Sequence, residues 1–196
     1  MVGYNTDLQS QVEQLTKILQ LSRPLYEVID KAQSLGLRDY YIGAGCIAQT
    51  VWNYHSGFEL THGISDIDFV YYDNSDLSFE AESAMAEKIV SLMGSCEIKL
   101  DVNNQARVHI WYKDYFGYDI AAYDSVENAI NTWPTTATSV GVRLENNRLK
   151  VYAPFGLNDL FGMVVRANKA QITEEIYARK AEKWCKKWPG LTIIPW

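Results

Sequence analysis

The chain of 196 residues is 47% apolar, 21% charged and 13% aromatic, which is typical of a folded globular protein and excludes an intrinsically disordered one. Its 18 basic and 24 acidic residues give a formal net charge of −6, which argues against a long nucleic-acid strand as the main partner, because such binding leaves a basic footprint. Three widely separated cysteines and an N-terminus without an apolar signal core predict a cytoplasmic protein that is neither exported nor bound to a membrane.

Two helices are predicted before the first strand. Apolar residues at helical spacing predict the first over residues 8–21, and Pro24 opens a second that ends at Gly36. An apolar strand at residues 40–42 leads into the small-residue turn at 43–46 and a helix through Trp52. After a loop, residues 65–73 predict the next strand.

The second half of the chain predicts further helices and strands. Residues 74–76 can cap a helix to about residue 93, residues 96–102 alternate as a strand does, and residues 105–115 fit a helix. A short helix after Ser125 and a hairpin around Asn146 and Asn147 follow, and Thr173 begins a final amphipathic helix. We therefore expect an α/β (α+β) fold around a small sheet, as one domain over 1–196, with a C-terminal subdomain from about 124 as the alternative.

Paired carboxylates are the clearest chemical signal. Asp66 and Asp68 are two apart in a predicted strand, so they point to one face at roughly 7 Å between backbones, which is unfavourable unless a cation lies between them. Asp101 supplies a third carboxylate, although Glu97 lies on the same predicted face and is an alternative. Three carboxylates can bind two divalent cations, and Mg²⁺, with Mn²⁺ as the alternative, suits such oxygen ligands. The competing interpretation is a strand cap and a surface aspartate.

A glycine turn precedes these acids. Gly43, Gly45 and Cys46 open a predicted helix, where small residues and free N–H groups favour a phosphate, although an ordinary tight turn has the same sequence. The turn lacks the Gly-Lys-Ser or Gly-Lys-Thr end of a Walker loop. The turn narrowly misses the G-x-G-x-x-G dinucleotide pattern, because Ala48, a tolerated variant, stands in the place of the last glycine. A dinucleotide fold would also have an acid at the end of the next strand to hold ribose, whereas the acids here lie at its start.

Basic residues lie in two places. Arg107 and His109 follow the third strand and could reach a phosphate or a base, and a structural hydrogen bond explains either of them equally well. The final helix carries a basic cluster that we interpret as a solvated face, with nucleotide or acceptor binding as the alternative. Its members are Arg179, Lys180, Lys183, Lys186 and Lys187.

The glycine turn, the Ser-Asp-x-Asp strand and the later strand carboxylate resemble the fingerprint of the DNA polymerase beta-type nucleotidyltransferase superfamily. Within it, the chain is similar to a bacterial nucleotidyltransferase-like family through blocks that extend over most of residues 41–190. These are GAGCIAQTVW, SDIDFVYYD, DVNNQARVHIWY, INTWPTTATSVGVRL, APFGLNDLFGMVVRAN and KWCKKWPGL. The resemblance implies a small mixed β-sheet flanked by helices, in a polymerase beta-like fold with a C-terminal hairpin and helix.

The resemblance also implies roles for particular residues. Gly43, Gly45 and Cys46 take the place of the phosphate-binding turn, and Asp66 and Asp68 that of the two metal-binding acids. Asp101, in preference to Glu97, takes the place of the third acid. Cys46 departs from the serine that many members carry. About twenty residues separate the turn from the acids, which implies an inserted loop at 53–64 at the mouth of the site.

The expected activity is metal-dependent transfer of a nucleoside monophosphate from an NTP, such as ATP, to an acceptor, with release of pyrophosphate. The implied cofactor is Mg²⁺, and the implied partners are the NTP and a small-molecule, protein or RNA acceptor. The alternative is a non-catalytic nucleotide-binding or protein-interaction module on the same fold, because a fold does not fix a function.

Overall fold

The computed structural model describes residues 1–196, with eight α-helices, two short 3₁₀-helices and seven strands. The helices are α1 Leu8–Leu21, α2 Arg23–Ala32, α3 Gly45–Ser56, α4 Phe79–Met93, α5 Val108–Phe116, α6 Val126–Ile130, α7 Asn158–Phe161 and α8 Glu174–Lys187. The strands are β1 Tyr40–Gly43, β2 Asp66–Tyr71, β3 Lys99–Asn104, β4 Gly141–Glu145, β5 Arg148–Tyr152, β6 Val164–Val165 and β7 Thr192–Ile193. None of the helices is long and apolar enough to cross a membrane.

Five strands form one mixed sheet in the order β3-β2-β1-β4-β5. β2 and β3 are parallel, whereas β1 is antiparallel to both β2 and β4, and β4 and β5 form an antiparallel hairpin. Helices flank this sheet, so the predicted fold class is confirmed. The short strands β6 and β7 pair separately in parallel.

Local sequence explains most of the element ends. Asn146 and Asn147 have φ of 50° and 60°, as a two-residue type I′ hairpin turn requires, and the predicted hairpin is confirmed. Ser125 and Thr173 cap α6 and α8 by accepting hydrogen bonds from the backbone of Asn128 and Ile176. These hydroxyls satisfy N–H groups that the first turn of a helix leaves without a partner.

Two element starts differ from the prediction. α4 is capped by Ser78, whose side chain accepts a hydrogen bond from the N–H of Ala81 at 3.2 Å, and not by residues 74–76. Asp73 and Asp76 instead accept hydrogen bonds from backbone N–H groups two residues ahead, which stabilises turns before the helix. β3 begins at Lys99, three residues later than the alternation at 96–102 predicted.

β7 was not predicted, because a strand of two residues has no periodicity.

The two faces of the central sheet are covered differently. One face carries Ile42, Ile67 and Phe69 into the largest apolar cluster, which contains side chains of α1–α4, α7 and α8. On the other face Tyr41 and Val70 pack against α6 through Val126 and Ile130. Another part of this second face is open to a cavity. Polar residues of β2 and β3 line it, namely Asp66, Asp68, Asp101 and Asn103.

Tryptophan packing fixes α8 beside α3. Trp52 of α3 makes edge contacts with Trp184 and Trp188, with both ring centroids 5.5 Å from its own. The indole N–H of Trp188 donates a hydrogen bond to Asn53 Oδ1 at 2.6 Å. These contacts hold α8 along the edge of the polar region of the sheet, so residues on one stripe of α8 can face the acids.

Candidate active site

A cavity of about 520 Å³ lies over the open part of the sheet. Its floor is formed by β2 and β3, the beginning of α3 lies at its edge, and residues of α5 and α8 line its walls. The predicted acids Asp66, Asp68 and Asp101 all line it, together with Asn103 of β3. A cavity of this size with convergent polar groups is the kind of place where small ligands bind.

Strand pairing brings the three carboxylates together. Asp68 and Asp101 are direct neighbours in the parallel register of β2 and β3, and Asp66 is two residues earlier on the face of Asp68. Burial, followed by the charges of Asp66 and Asp101, raises the pKa of Asp68 to about 7. Three acids in one partly buried place therefore repel one another, and a bound cation would relieve that repulsion.

The donor set can be tested for a divalent metal ion. As the side chains stand, no three His, Cys, Asp or Glu residues converge closely enough to hold a metal ion. The chemistry of the lining nevertheless fits Mg²⁺, which prefers carboxylate and phosphate oxygens. Gln49 of α3 adds a further oxygen, because its Oε1 is buried without a hydrogen-bond partner and the residue lines the same cavity.

The structure distinguishes between Asp101 and Glu97, the two candidates for the third carboxylate beside Asp66 and Asp68. Asp101 lies beside Asp68 in the cavity, whereas Glu97 precedes β3, is exposed and lines a different cavity near the start of α2. The predicted face that Glu97 and Asp101 were to share does not exist, because β3 starts after Glu97.

The glycine turn reaches the cavity through Ala44 and Gly45. Ala44 has φ 58° and ψ −130°, a conformation that glycine adopts easily and that strains a residue with a side chain. The first N–H groups of α3 lack partners within the helix, so this end of α3 offers donors and a favourable dipole to an anion. Strain of this kind is common where a backbone is held in place for a ligand.

Two residues of the predicted phosphate-binding turn, Cys46 and Gly43, make packing and hydrogen-bond contacts outside the cavity. The thiol of Cys46 is 1% exposed and donates a hydrogen bond to the Gly43 carbonyl at 3.0 Å, and burial raises its pKa well above the usual value. Cys46 does not line the cavity, and phosphate binding by its side chain stays a prediction. Gly43 does not line the cavity, and a Cβ there would lie 2.6 Å from the carbonyl oxygen of Val140 and 2.9 Å from the Trp133 ring. Glycine is needed at 43 for close packing.

Arg107 does not line the cavity, and the structure shows it in structural contacts, the alternative to phosphate binding. Its guanidinium forms an ion pair with Glu82, donates a hydrogen bond from Nε to the Leu77 carbonyl at 2.8 Å and lies over the Phe79 ring. These contacts tie the beginning of α4 to the segment after β3. The side chain is 7% exposed and absent from the cavity lining, and its binding to a phosphate stays a prediction.

The implied loop at the mouth of the site is also placed differently. Asn53 is buried and its side-chain amide donates hydrogen bonds to the carbonyls of Leu60 and His62, which holds residues 57–64 against the end of α3. Gly63 lies so close to Trp188 that a Cβ would approach its ring to 2.9 Å. From this connection only Ser65 lines the cavity, so the loop is anchored beside the site and does not cover it.

Lys180 and Lys183 line the same cavity, which the interpretation of α8 as a solvated basic face missed. Burial lowers the pKa of Lys180, and the nearby Asp68 partly counteracts that effect. A sequence signal was present, because Ile176, Lys180 and Trp184 are four residues apart on one stripe and both apolar neighbours are buried. A lysine in the middle of a buried stripe is a candidate functional residue.

Aromatic side chains form the rest of the walls. Trp111, Tyr112 and Tyr115 of α5 line the cavity, as does Trp133 from the segment after α6. The sequence predicted a helix over residues 105–115 here. The helix is confirmed, but its inner face borders the cavity as well as the small cluster around Tyr123 and Ala129.

Comparisons with known proteins agree with this fold. The sequence profile of a family described as nucleotidyltransferase matches residues 30–193. A solved NMR structure described as a CCA-adding enzyme head domain is similar with a TM-score of 0.72 and 24% identity, over 92% of this chain and 96% of that chain. An apo form of a tRNA-processing enzyme gives a TM-score of 0.47 and 17% identity, over 85% of this chain and 44% of that chain. No curated protein matches the sequence.

Proposed function

The chain belongs to this nucleotidyltransferase family, and we propose that it transfers a nucleoside monophosphate from an NTP to the hydroxyl of an acceptor, releasing pyrophosphate. The observation that carries this proposal is the joint lining of one cavity by Asp66, Asp68 and Asp101, next to the beginning of α3. Three carboxylates from two neighbouring strands suit metal-assisted phosphoryl chemistry, which depends mainly on positioning and on neutralising charge.

In the proposed reaction the acceptor oxygen forms a bond to the α-phosphorus while the bond from that phosphorus to the bridging oxygen breaks. Pyrophosphate leaves with the electron pair, and the hydroxyl proton passes to solvent. Asp66, Asp68 and Asp101 would hold Mg²⁺ or Mn²⁺, which supplies charge neutralisation and lowers the proton affinity of the acceptor hydroxyl. No side-chain nucleophile is required.

The beginning of α3 would bind a phosphate group of the NTP. Backbone N–H groups of Gly45 and Cys46 belong to the first turn of α3, where the dipole favours an anion, and no side chain at Gly45 obstructs approach. We propose a small-molecule, protein or RNA hydroxyl as the acceptor. A reducing cytoplasm is the proposed location, in agreement with three cysteines that are all free.

A non-catalytic nucleotide-binding module is the second candidate. It is favoured by one observation, namely that the carboxylates do not converge on a metal position as they stand. Such a module would bind an NTP in the cavity without consuming it. Binding and turnover therefore have to be measured separately.

The test compares three isosteric variants, Asp68→Asn, Asp101→Asn and Glu97→Gln, the last being an exposed control outside the cavity. Mg²⁺ with an NTP should raise the unfolding temperature of the wild type and of Glu97→Gln. At a ligand concentration of about 100 times Kd the gain is roughly 2.7 kcal/mol, or several degrees. Both cavity variants should lose most of it.

Turnover is then followed as pyrophosphate release with candidate acceptors. The proposal requires release by the wild type and a loss of about 10²-fold to 10³-fold or more in both aspartate variants, because a charged group acting on the transition state is removed. Binding without any release across acceptor classes would favour the non-catalytic module. If Mg²⁺ with NTP stabilises neither the wild type nor any variant, the nucleotide site itself is refuted.

A further inference from the structure

Lys180 and Lys183 differ from the other basic residues of α8 in having no partner. Arg179 approaches Glu175 at 4.0 Å, Lys186 pairs with Glu182 at 2.7 Å, and Lys187 donates a hydrogen bond to the Gly63 carbonyl. Neither Lys180 nor Lys183 forms a hydrogen bond or an ion pair within the protein. The Lys180 ammonium lies over the Trp184 ring, 5.8 Å from its centroid.

Lys180 is half-buried and Lys183 is exposed. Leaving the Lys180 ammonium without a partner is unfavourable, because water is partly removed and no hydrogen bond replaces it. The charge of Asp68 offsets only part of this cost, because no ion pair links the carboxylates of the floor to Lys180. The two lysines are three residues apart, so they present two cations on one side of α8 to the same cavity. An anion that enters the cavity would find donors there that the protein itself does not use.

The floor and the wall of the cavity thus carry opposite charges. The acids attract a divalent cation and, when ionised, cannot donate hydrogen bonds to phosphate oxygens. An ammonium group donates three hydrogen bonds and is a common phosphate ligand. A metal-bound polyphosphate has both kinds of charge and would contact both surfaces.

We propose that Lys180 and Lys183 bind the β- and γ-phosphates of the NTP, and the pyrophosphate that leaves, as positioning residues on the α8 wall. The inference rests on the proposed function, because it assigns the polyphosphate of that substrate to a particular surface. It also explains why a lysine interrupts the buried stripe formed by Ile176 and Trp184. The competing explanation is that Lys180 serves only as a fixed counter-ion to Asp68.

The experiment measures binding of inorganic tripolyphosphate in the presence of Mg²⁺ by calorimetry, so that no base or ribose contributes. The variants are Lys180→Met and Lys183→Met, and the matched control is Lys186→Met, which removes the same charge from the exposed side of α8. We expect Lys180→Met to weaken binding by about 10- to 100-fold, Lys183→Met by less, and Lys186→Met by under about 2-fold. Lys180→Arg should restore part of the loss.

The unfolding temperature without ligand separates positioning from a structural role. Methionine fills a similar volume without a buried charge, so Lys180→Met should unfold at the same temperature as the wild type or higher. A lower unfolding temperature would show that Lys180 stabilises Asp68 and would overturn the inference. Equal losses of affinity in Lys180→Met and Lys186→Met would also overturn it, because the attraction would then be a general effect of charge.

Failure of this inference is distinguishable from failure of the proposed function. If Lys180→Met and Lys183→Met bind Mg²⁺ and tripolyphosphate as the wild type does, while Asp68→Asn does not, the lysines are not the phosphate ligands and the proposed activity stands. If the wild type transfers no nucleotide but shows the lysine-dependent binding, the phosphate surface stands and the activity is refuted.

Discussion

The two faces of the central sheet are built from the same strands, but one packs into the apolar core and the other lines the polar cavity. Phe69 is fully buried and stacks on Tyr40 with ring centroids 5.5 Å apart, whereas the preceding residue, Asp68, lies on the cavity floor beside Asp101. Alternation along β2 therefore sends one residue into the largest apolar cluster and its neighbour into the polar site. One face stabilises the fold, and the other concentrates like charges at a cost in stability.

The difference shows how a small protein can keep a destabilising site in place. A strand backbone is rigid when one face is closely packed, so the side chains of the opposite face are held at fixed spacing. The packed apolar face therefore fixes the positions of the acids on the polar face, and repulsion between those acids lowers the stability of the fold. Stability and ligand binding should consequently respond to substitutions on different faces.

The largest expected effect follows from Phe69→Ala. Removing a buried aromatic ring costs about 3–5 kcal/mol of unfolding free energy, through lost transfer energy and a cavity. Its matched partner is Asp68→Asn, which removes a repelled charge one residue earlier and should leave the metal-free protein as stable at pH 7 or more stable. Urea denaturation measures both. If Asp68→Asn were as damaging as Phe69→Ala, the division of roles between the faces would be wrong.

A smaller effect is expected from pH in the absence of metal ions. The folded pKa of Asp68 is about 7 against 3.8 for the free side chain, so the folded state binds more protons than the unfolded chain between about pH 4 and pH 7. Stability should thus fall as pH rises through this window, and be fully retained only below about pH 4. One pKa unit corresponds to about 1.4 kcal/mol, and we expect a total of about 1–3 kcal/mol because partial solvation reduces it.

The measurement is urea denaturation from pH 4 to pH 8 with a chelator, for the wild type and for Asp68→Asn. Other titrating groups are common to both proteins, so the difference between the two curves reports Asp68. The wild type should lose stability relative to the variant as pH rises, and Mg²⁺ should reduce that loss. Parallel curves would show that burial and the neighbouring acids do not raise the pKa of Asp68 in the folded protein.

Much of the fold could be predicted because its signals are local. Turn and cap residues such as Asn146, Asn147, Ser125 and Thr173 act on their own backbone, and they lie where the sequence placed them. The start of β3 could not be placed, because residues 96–98 continue the alternation of the strand without pairing to β2. Alternation describes side chains, and pairing depends on another part of the chain.

The site was predictable only in part for the same reason. Asp66 and Asp68 follow from their spacing within one strand, and Gly45 from its turn, although their catalytic and binding roles stay predictions. Arg107 was attractive as a basic residue after a strand, but Glu82 and Leu77, far away in sequence, bind it. Lys180 faces the acids only because the tryptophans of α3 and α8 pack together. Such contacts have no signature in a local pattern.

The smallest expected effect concerns Ala44, at the border between the two faces. Its φ of 58° with ψ of −130° is a conformation that glycine adopts without strain, so Ala44→Gly should stabilise the protein by about 1 kcal/mol after allowing for the greater freedom of glycine in the unfolded chain. The control is Ala48→Gly in the buried interior of the same helix, which should lose about 1 kcal/mol or more. The unfolding temperatures of the two variants should therefore shift in opposite directions, by roughly 2–4 °C.

If the strained turn exists to direct N–H groups into the cavity, the more stable Ala44→Gly variant should bind Mg²⁺ and tripolyphosphate no more tightly than the wild type. Tighter binding together with higher stability would mean that the strain has no part in positioning the phosphate.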